Sequence, residues 1–162
     1  MCLSDSKKIN GLAWHFVNGE LAPMWYDIHC YKILEVRGFW PFRKLWSPIM
    51  FHEWRRGKVY ATGYDEPTFN WRNNVEGRSF HSYMNMDDAV RICDVFNENE
   101  MKKSNKKARR FYAVFDCVIP ADTKFLYEGN YQCFDGESSA PCYASEKLKI
   151  GKCVYKNYWE SE

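Results

Sequence analysis

The sequence predicts an α+β fold: one domain with a mixed or antiparallel sheet and one main helix. Three stretches carry this expectation. "DIHCYKILEVRG" and "RFYAVFDCVIP" alternate with the period of two that marks strands, and the run from Met86 between them repeats apolar residues at helical spacing. At 162 residues the chain fits a single domain that buries about two-thirds of its unfolded surface. No disulfide or metal staple is needed on grounds of size.

Taken in order, residues 1–19 read as an N-terminal arm that carries Trp14 and Phe16, and residues 20–162 as the α+β body. In the first strand Ile28, Cys30, Lys32, Leu34 and Val36 alternate with His29, Tyr31, Ile33 and Glu35, and Gly38 ends it. Both faces carry apolar groups, so this strand belongs at the centre of the sheet. Pro41 and Pro48 punctuate the next stretch, Gly57 marks a turn, "KVYATGY" is a short strand, "PTFNWRNNVEG" is a loop and "RSFHSY" a second short strand. Asn85 caps the helix, Asp87 and Asp88 suit the positive end of its dipole, and Ala89, Ile92, Cys93 and Phe96 form its buried stripe. "NENEMKKSNKKARR" has Met101 as its one large apolar residue and reads as a solvated connector.

In the strongest strand Phe111, Ala113, Phe115, Cys117 and Ile119 make one apolar face, and Tyr112, Val114, Asp116 and Val118 the other. Pro120 stops it. Asp116 stands in an otherwise apolar layer and needs a partner or solvent. A polar loop from Gly129 to Pro141 then leads to a last strand, "EKLKIGKCVY".

Charge and cysteine usage exclude several classes. With 23 basic and 21 acidic residues the net charge is +2, which does not favour duplex nucleic acid or an acidic membrane. "MCLSDSKKIN" is too polar for a secretory leader, and no apolar run approaches the roughly 18 residues of a membrane span. The seven cysteines form no CxxC pair and leave one over, as free thiols in a reducing cytosol would. His29, Cys30, His52 and His81 are the residues that could converge on a metal, but the short-spaced ligand pairs of zinc sites are missing. The expectation is no metal and no cofactor.

Aromatic residues, 18% of the chain, are the compositional outlier, and they direct the search for a site. In "HEWRRGK", Trp54 and Arg55, with Arg56 and Lys58 beside them, offer stacking and guanidinium contacts to phosphate; the plain alternative is a solvated turn with one aromatic tucked beneath it. Arg78, His81 and Tyr83, with Ser79 and Ser82, precede a helix N-terminus, where backbone N–H groups favour anions. A histidine packed at a strand end is the competing reading for His81. "RGFWPFRKLW" fits either a core-capping loop or an interaction surface. Cys142, Ser138, Ser139 and Ser145 lack any activating base signature for nucleophilic chemistry.

The order of "MCL", "CYKILEV", "RRGKVY", "SFHSYMNMDDAV", "VIPADTKF" and "CYASEKLKI" resembles a loosely defined group of phage and prophage proteins of Bacteroides-like bacteria. Members carry a "GFHS/A" step before a helix and "YAS.KIKI" near the end. The resemblance covers roughly Cys30 to Tyr155 and implies phage origin and a compact α+β fold. On that basis the expected function is a non-enzymatic binding protein in the host bacterial cytosol that antagonises an antiviral defence. It would sequester a small nucleotide signal through Trp54, Arg55, Arg78, His81 and Tyr83, or cover the surface of a host defence protein. Homo-oligomerisation is compatible with either. A weaker likeness to ADP-ribosyltransferases gives the alternative, an enzyme acting on NAD through Tyr31, Ser82 and Glu146. Glu146 stands in "SEKL", outside the paired "ExE" or "QxE" arrangement of that group.

Overall fold

Alternation decides the architecture, because two strands with two apolar faces must lie inside a sheet covered on both sides. The computed structural model describes residues 15–17, 20–22, 26–38, 43–47, 52–63, 79–103, 111–123, 125–132 and 139–157. Two short strands, β1 (His15–Val17) and β2 (Glu20–Ala22), pair with each other in a small sheet of their own. Among the described residues the main sheet has nine strands: β3 (Ile28–Arg37), β4 (Lys44–Trp46), β5 (Glu53–Trp54), β6 (Val59–Ala61), β7 (Phe80–Tyr83), β8 (Phe111–Ile119), β9 (Phe125–Gln132), β10 (Ser139–Ser145) and β11 (Lys147–Lys156). Their order is β6-β11-β8-β3-β7-β10-β9, with β4 joined to β3 and β5 to β4. Every pairing among the described strands is antiparallel. One helix, α1 (Met86–Lys103), lies against β8, β3 and β7, so the α+β class is the observed one.

The central pair is β3 with β8, in register from Ile28 opposite Ile119 to Val36 opposite Phe111. One face of the sheet buries Cys30, Leu34, Ala113, Phe115, Cys117, Ile119, Leu148 and Ile150. The other buries Ile33, Tyr112 and Val114 against Ala89, Ile92 and Cys93 of α1. The predicted face of β8 is thus observed, with Phe115 only 2% exposed. Asp116, on the helix side of β8, finds its partner in the Lys152 N–H, which donates to its Oδ1 at 2.6 Å. The register of β11 on β8 shifts between Ile150 and Cys153, and Gly151 makes room there: a Cβ would meet Asp116 Oδ1 at 2.1 Å.

Three expectations are corrected. Asn97 to Lys103 is helix rather than connector, since Glu, Met and Lys are good helix formers and Lys102 and Lys103 suit its negative end. Asn97 is itself buried. Its Oδ1 accepts from Tyr112 N at 2.9 Å and its Nδ2 donates to Tyr112 O at 3.0 Å, continuing the β8 ladder past its last β11 pair, Lys156 with Ala113. The buried stripe accordingly ends on Asn97, while Phe96 is half-buried against Tyr112. Residues 129–141, expected as loop, hold the end of β9 and the start of β10. The stretch 37–46 contains β4, which continues the sheet beyond β3. The predicted loop from Pro67 to Gly77 lies outside the described residues. No helix among the described residues is long and apolar enough to cross a membrane.

Candidate functional site

β3 shares one edge between two partners: Tyr31 pairs with Tyr83 of β7, and Glu35 to Arg37 pair with β4. The β4–β5 hairpin folds over the first apolar face, where Leu45 and Trp54 join its core, while β6 pairs with Lys147 to Lys149 of β11. The turn joining β5 to β6 is fixed at both ends. Arg55 N donates to the Tyr60 hydroxyl at 3.0 Å, and Gly57 N donates to Ile150 O at 2.9 Å. Gly57 has φ 77°, a left-handed conformation in which glycine meets no steric penalty.

Between this hairpin and the far end of β11 runs a groove of about 900 Å³. Val36, Leu45 and Val154 contribute apolar surface to it, and five cations line it: Arg43, Lys44, Arg55, Arg56 and Lys156. Glu53 is the one carboxylate in the lining. The Arg56 guanidinium carbon sits 5.3 Å from the Phe115 ring centroid, a cation–π contact that holds one cation at the groove. A trough lined mostly by cations raises the local concentration of anions.

Beneath the groove lies an aromatic box. Trp54 packs edge-on against His52, Tyr60 and Phe80 at centroid separations of 4.5, 5.1 and 4.8 Å, and its Nε1 donates to Ser47 Oγ at 2.6 Å. Burial, with the nearby Lys32 and Lys58 charges, lowers the His52 pKa and keeps the ring neutral. The Lys32 ammonium lies 5.7 Å from the Trp54 ring and donates to His81 O, although the residue is only 9% exposed. Burial lowers its pKa to about 8, partly offset by the neighbouring thiols of Cys117, Cys30 and Cys142.

The expected ligand residues are not gathered in one place. Trp54 and Arg55 both line the groove, but Trp54 is 2% exposed, so its faces are spent on core rings and cannot stack a base. That is the tucked-aromatic reading of "HEWRRGK". Arg55 is exposed on the turn. His81 and Tyr83 are half-buried on β7, where alternation sets them on the face opposite Phe80, which touches Trp54. Arg78 lies outside the described residues. Asp88, at the helix start, is engaged by Asn85 Nδ2 and Arg91 Nη2, both at 3.2 Å. Arg43 and Lys156 were not legible as site residues, since no local pattern ties two cations over a hundred positions apart.

The residues of the enzymatic alternative do not converge either. Tyr31 stands opposite Tyr83, so the adjacent Ser82 projects from the reverse face, where it is 1% exposed. Glu146 sits at the β10–β11 corner, its carbonyl accepting from Thr62 N. Among the described residues no group of three histidine, cysteine or acidic side chains is placed to hold a metal. Comparison with family models, with curated proteins and with solved structures gives no match to this chain.

Proposed function

We propose that the protein is a non-enzymatic binding protein that captures a phosphate-bearing nucleotide in the basic groove. The observation that carries this reading is the concentration of five cations against one carboxylate in a trough that also offers apolar surface, on a chain whose overall charge is only +2. Phosphates would lie against Arg55 and Arg56, whose forked donors match phosphate oxygens, and the base against Val36 and Leu45. A protein-covering role has less support: the exposed large apolar residues among those described, Tyr26, Val59 and Met101, stand singly on separate elements rather than in a patch. In the phage setting that the sequence resemblance suggests, the ligand would be a nucleotide signal of host antiviral defence, withdrawn by sequestration in the host cytosol.

The test is calorimetric titration with ATP, GTP and cyclic dinucleotides, repeated on the double variant Arg55→Ala, Arg56→Ala. At least one nucleotide should bind the native protein, and the double variant should bind it at least tenfold more weakly with a melting temperature within a few degrees of native. No binding by any nucleotide, or binding indifferent to the double variant, overturns the proposal.

A further inference from the structure

A second chemistry lies in the sheet interior, away from the groove lining. Cys30 on β3 and Cys117 on β8 are direct cross-strand partners, and their sulfurs lie 3.5 Å apart. Both residues are 1% exposed. Residues directly opposite in an antiparallel pair have Cα atoms about 4.5–5.5 Å apart, inside the range a disulfide spans. Their Cβ atoms, about 4.5–5.5 Å apart in such pairs, are somewhat wider than a relaxed disulfide prefers. A bond formed here is therefore one that reductants open readily, rather than a permanent staple.

Lys32 stands two residues along β3 on the same face as Cys30, and its charge acts on Cys30, Cys117 and Cys142. A buried amine beside two touching thiols stabilises negative charge on sulfur, the form that attacks an oxidant. Burial opposes ionisation of Cys30, but the Cys117 contact together with the Lys32 charge helps to lower the thiol. Burial and the neighbouring Cys30 push Cys117 up. Two sulfurs in contact can divide the work, one attacking and the other resolving. Cys93, on the buried face of α1, is pushed up to about 12 by burial and touches no second thiol among the described cysteines, all five of which are free.

We propose that Cys30 and Cys117 are an oxidative modification site that hydroperoxides convert to a reversible disulfide within the folded sheet. The Cys30 thiolate, its proton given up to solvent, attacks one peroxide oxygen and breaks the O–O bond; the Lys32 ammonium protonates the departing hydroxide to water and regains its proton from solvent. The sulfenic acid formed on Cys30 is then attacked by the Cys117 sulfur. An S–S bond forms, the S–O bond breaks, and the hydroxyl leaves as water with the Cys117 proton. Two thiols and one hydrogen peroxide become one disulfide and two waters, the sulfurs supplying both electrons. A dithiol reverses the change.

Native protein would be treated with a small excess of hydrogen peroxide, quenched, denatured and alkylated, with peptide mapping by mass spectrometry. The expected result is loss of two alkylatable thiols of the seven, a mass lower by about 2 Da, a cross-linked peptide joining Cys30 to Cys117, and full recovery with dithiothreitol. In Cys117→Ser the same treatment should leave a sulfenic acid on Cys30 that dimedone traps. Wild-type protein in which both cysteines stay alkylatable, or whose lost thiols map to other positions, overturns the proposal. The wild-type measurement decides the matter even if the variant fails to fold.

Discussion

At the scale of single residues, Lys32 is the most consequential side chain in the core. Its pKa falls from an ordinary 10.5 to about 8 on burial, so the unfolded chain binds the proton more tightly than the folded one. Folding stability from this group therefore rises with pH between about 8 and 10.5, and the penalty is complete below that window. The span corresponds to about 3 kcal/mol. Cysteines and tyrosines with raised values pull the other way at high pH, so the effect is read as a difference. Denaturant unfolding of native protein and Lys32→Met at pH 7, 9 and 10.5 should show their gap shifting toward native by a few kcal/mol; a gap independent of pH would contradict it. Two neighbours give simpler tests. Phe115→Ala should cost about 3–5 kcal/mol, because the ring is buried between strands that cannot collapse into its space. Gly151→Ala should cost about 1–3 kcal/mol, since the new methyl drives Asp116 off the Lys152 N–H.

Among the elements, α1 shows how far local pattern carries. Its apolar stripe and acidic first turn were readable from sequence, and its C-terminal half was not, because Asn97 is polar in composition but structural in use. The residue grips both backbone groups of Tyr112, and its Nδ2 also reaches Asn157 Oδ1 at 2.7 Å. Asn157 and Tyr155 in turn donate to Asp94 Oδ1, both at 2.6 Å, tying helix to sheet. Asn97→Ala should lower stability by about 1–3 kcal/mol, and amide exchange should quicken first at Tyr112. Protection at Tyr112 unchanged from native would show that the grip is dispensable. The strands divide the same way. β3 and β8 announce themselves through nine or ten alternating residues, whereas β4 and β5 are too short for any period to register. β9 mixes Glu128, Gly129 and Asn130 into its run, so composition argued for a loop.

For the whole molecule, the groove depends on residues that only the fold assembles. Arg55 and Arg56 were visible as a basic turn, but Lys156 joins them through the path of β11, and Arg43 and Lys44 through the hairpin. Trp54 was conspicuous for the wrong reason: its size suggested a stacking platform, and the same size made it the centre of the aromatic box. If the groove binds phosphates, affinity should fall as salt rises from 50 to 300 mM, with a weaker slope in the double arginine variant. An equal slope in both would move the anion elsewhere on the surface.

The pairing of β3 with β8 also bears on how the chain is made. Cys30 and Cys117, which face each other in the finished sheet, are 87 residues apart. At about 5–20 residues per second a ribosome needs roughly 4–17 s to supply the second strand after the first. Through that interval β3 lacks its central neighbour, and Ile33 and Leu34 lack the β8 residues that stand opposite them, Val114 and Ala113. A polypeptide laid out this way cannot complete its core as it emerges. It must wait for the strand that lets the rest close.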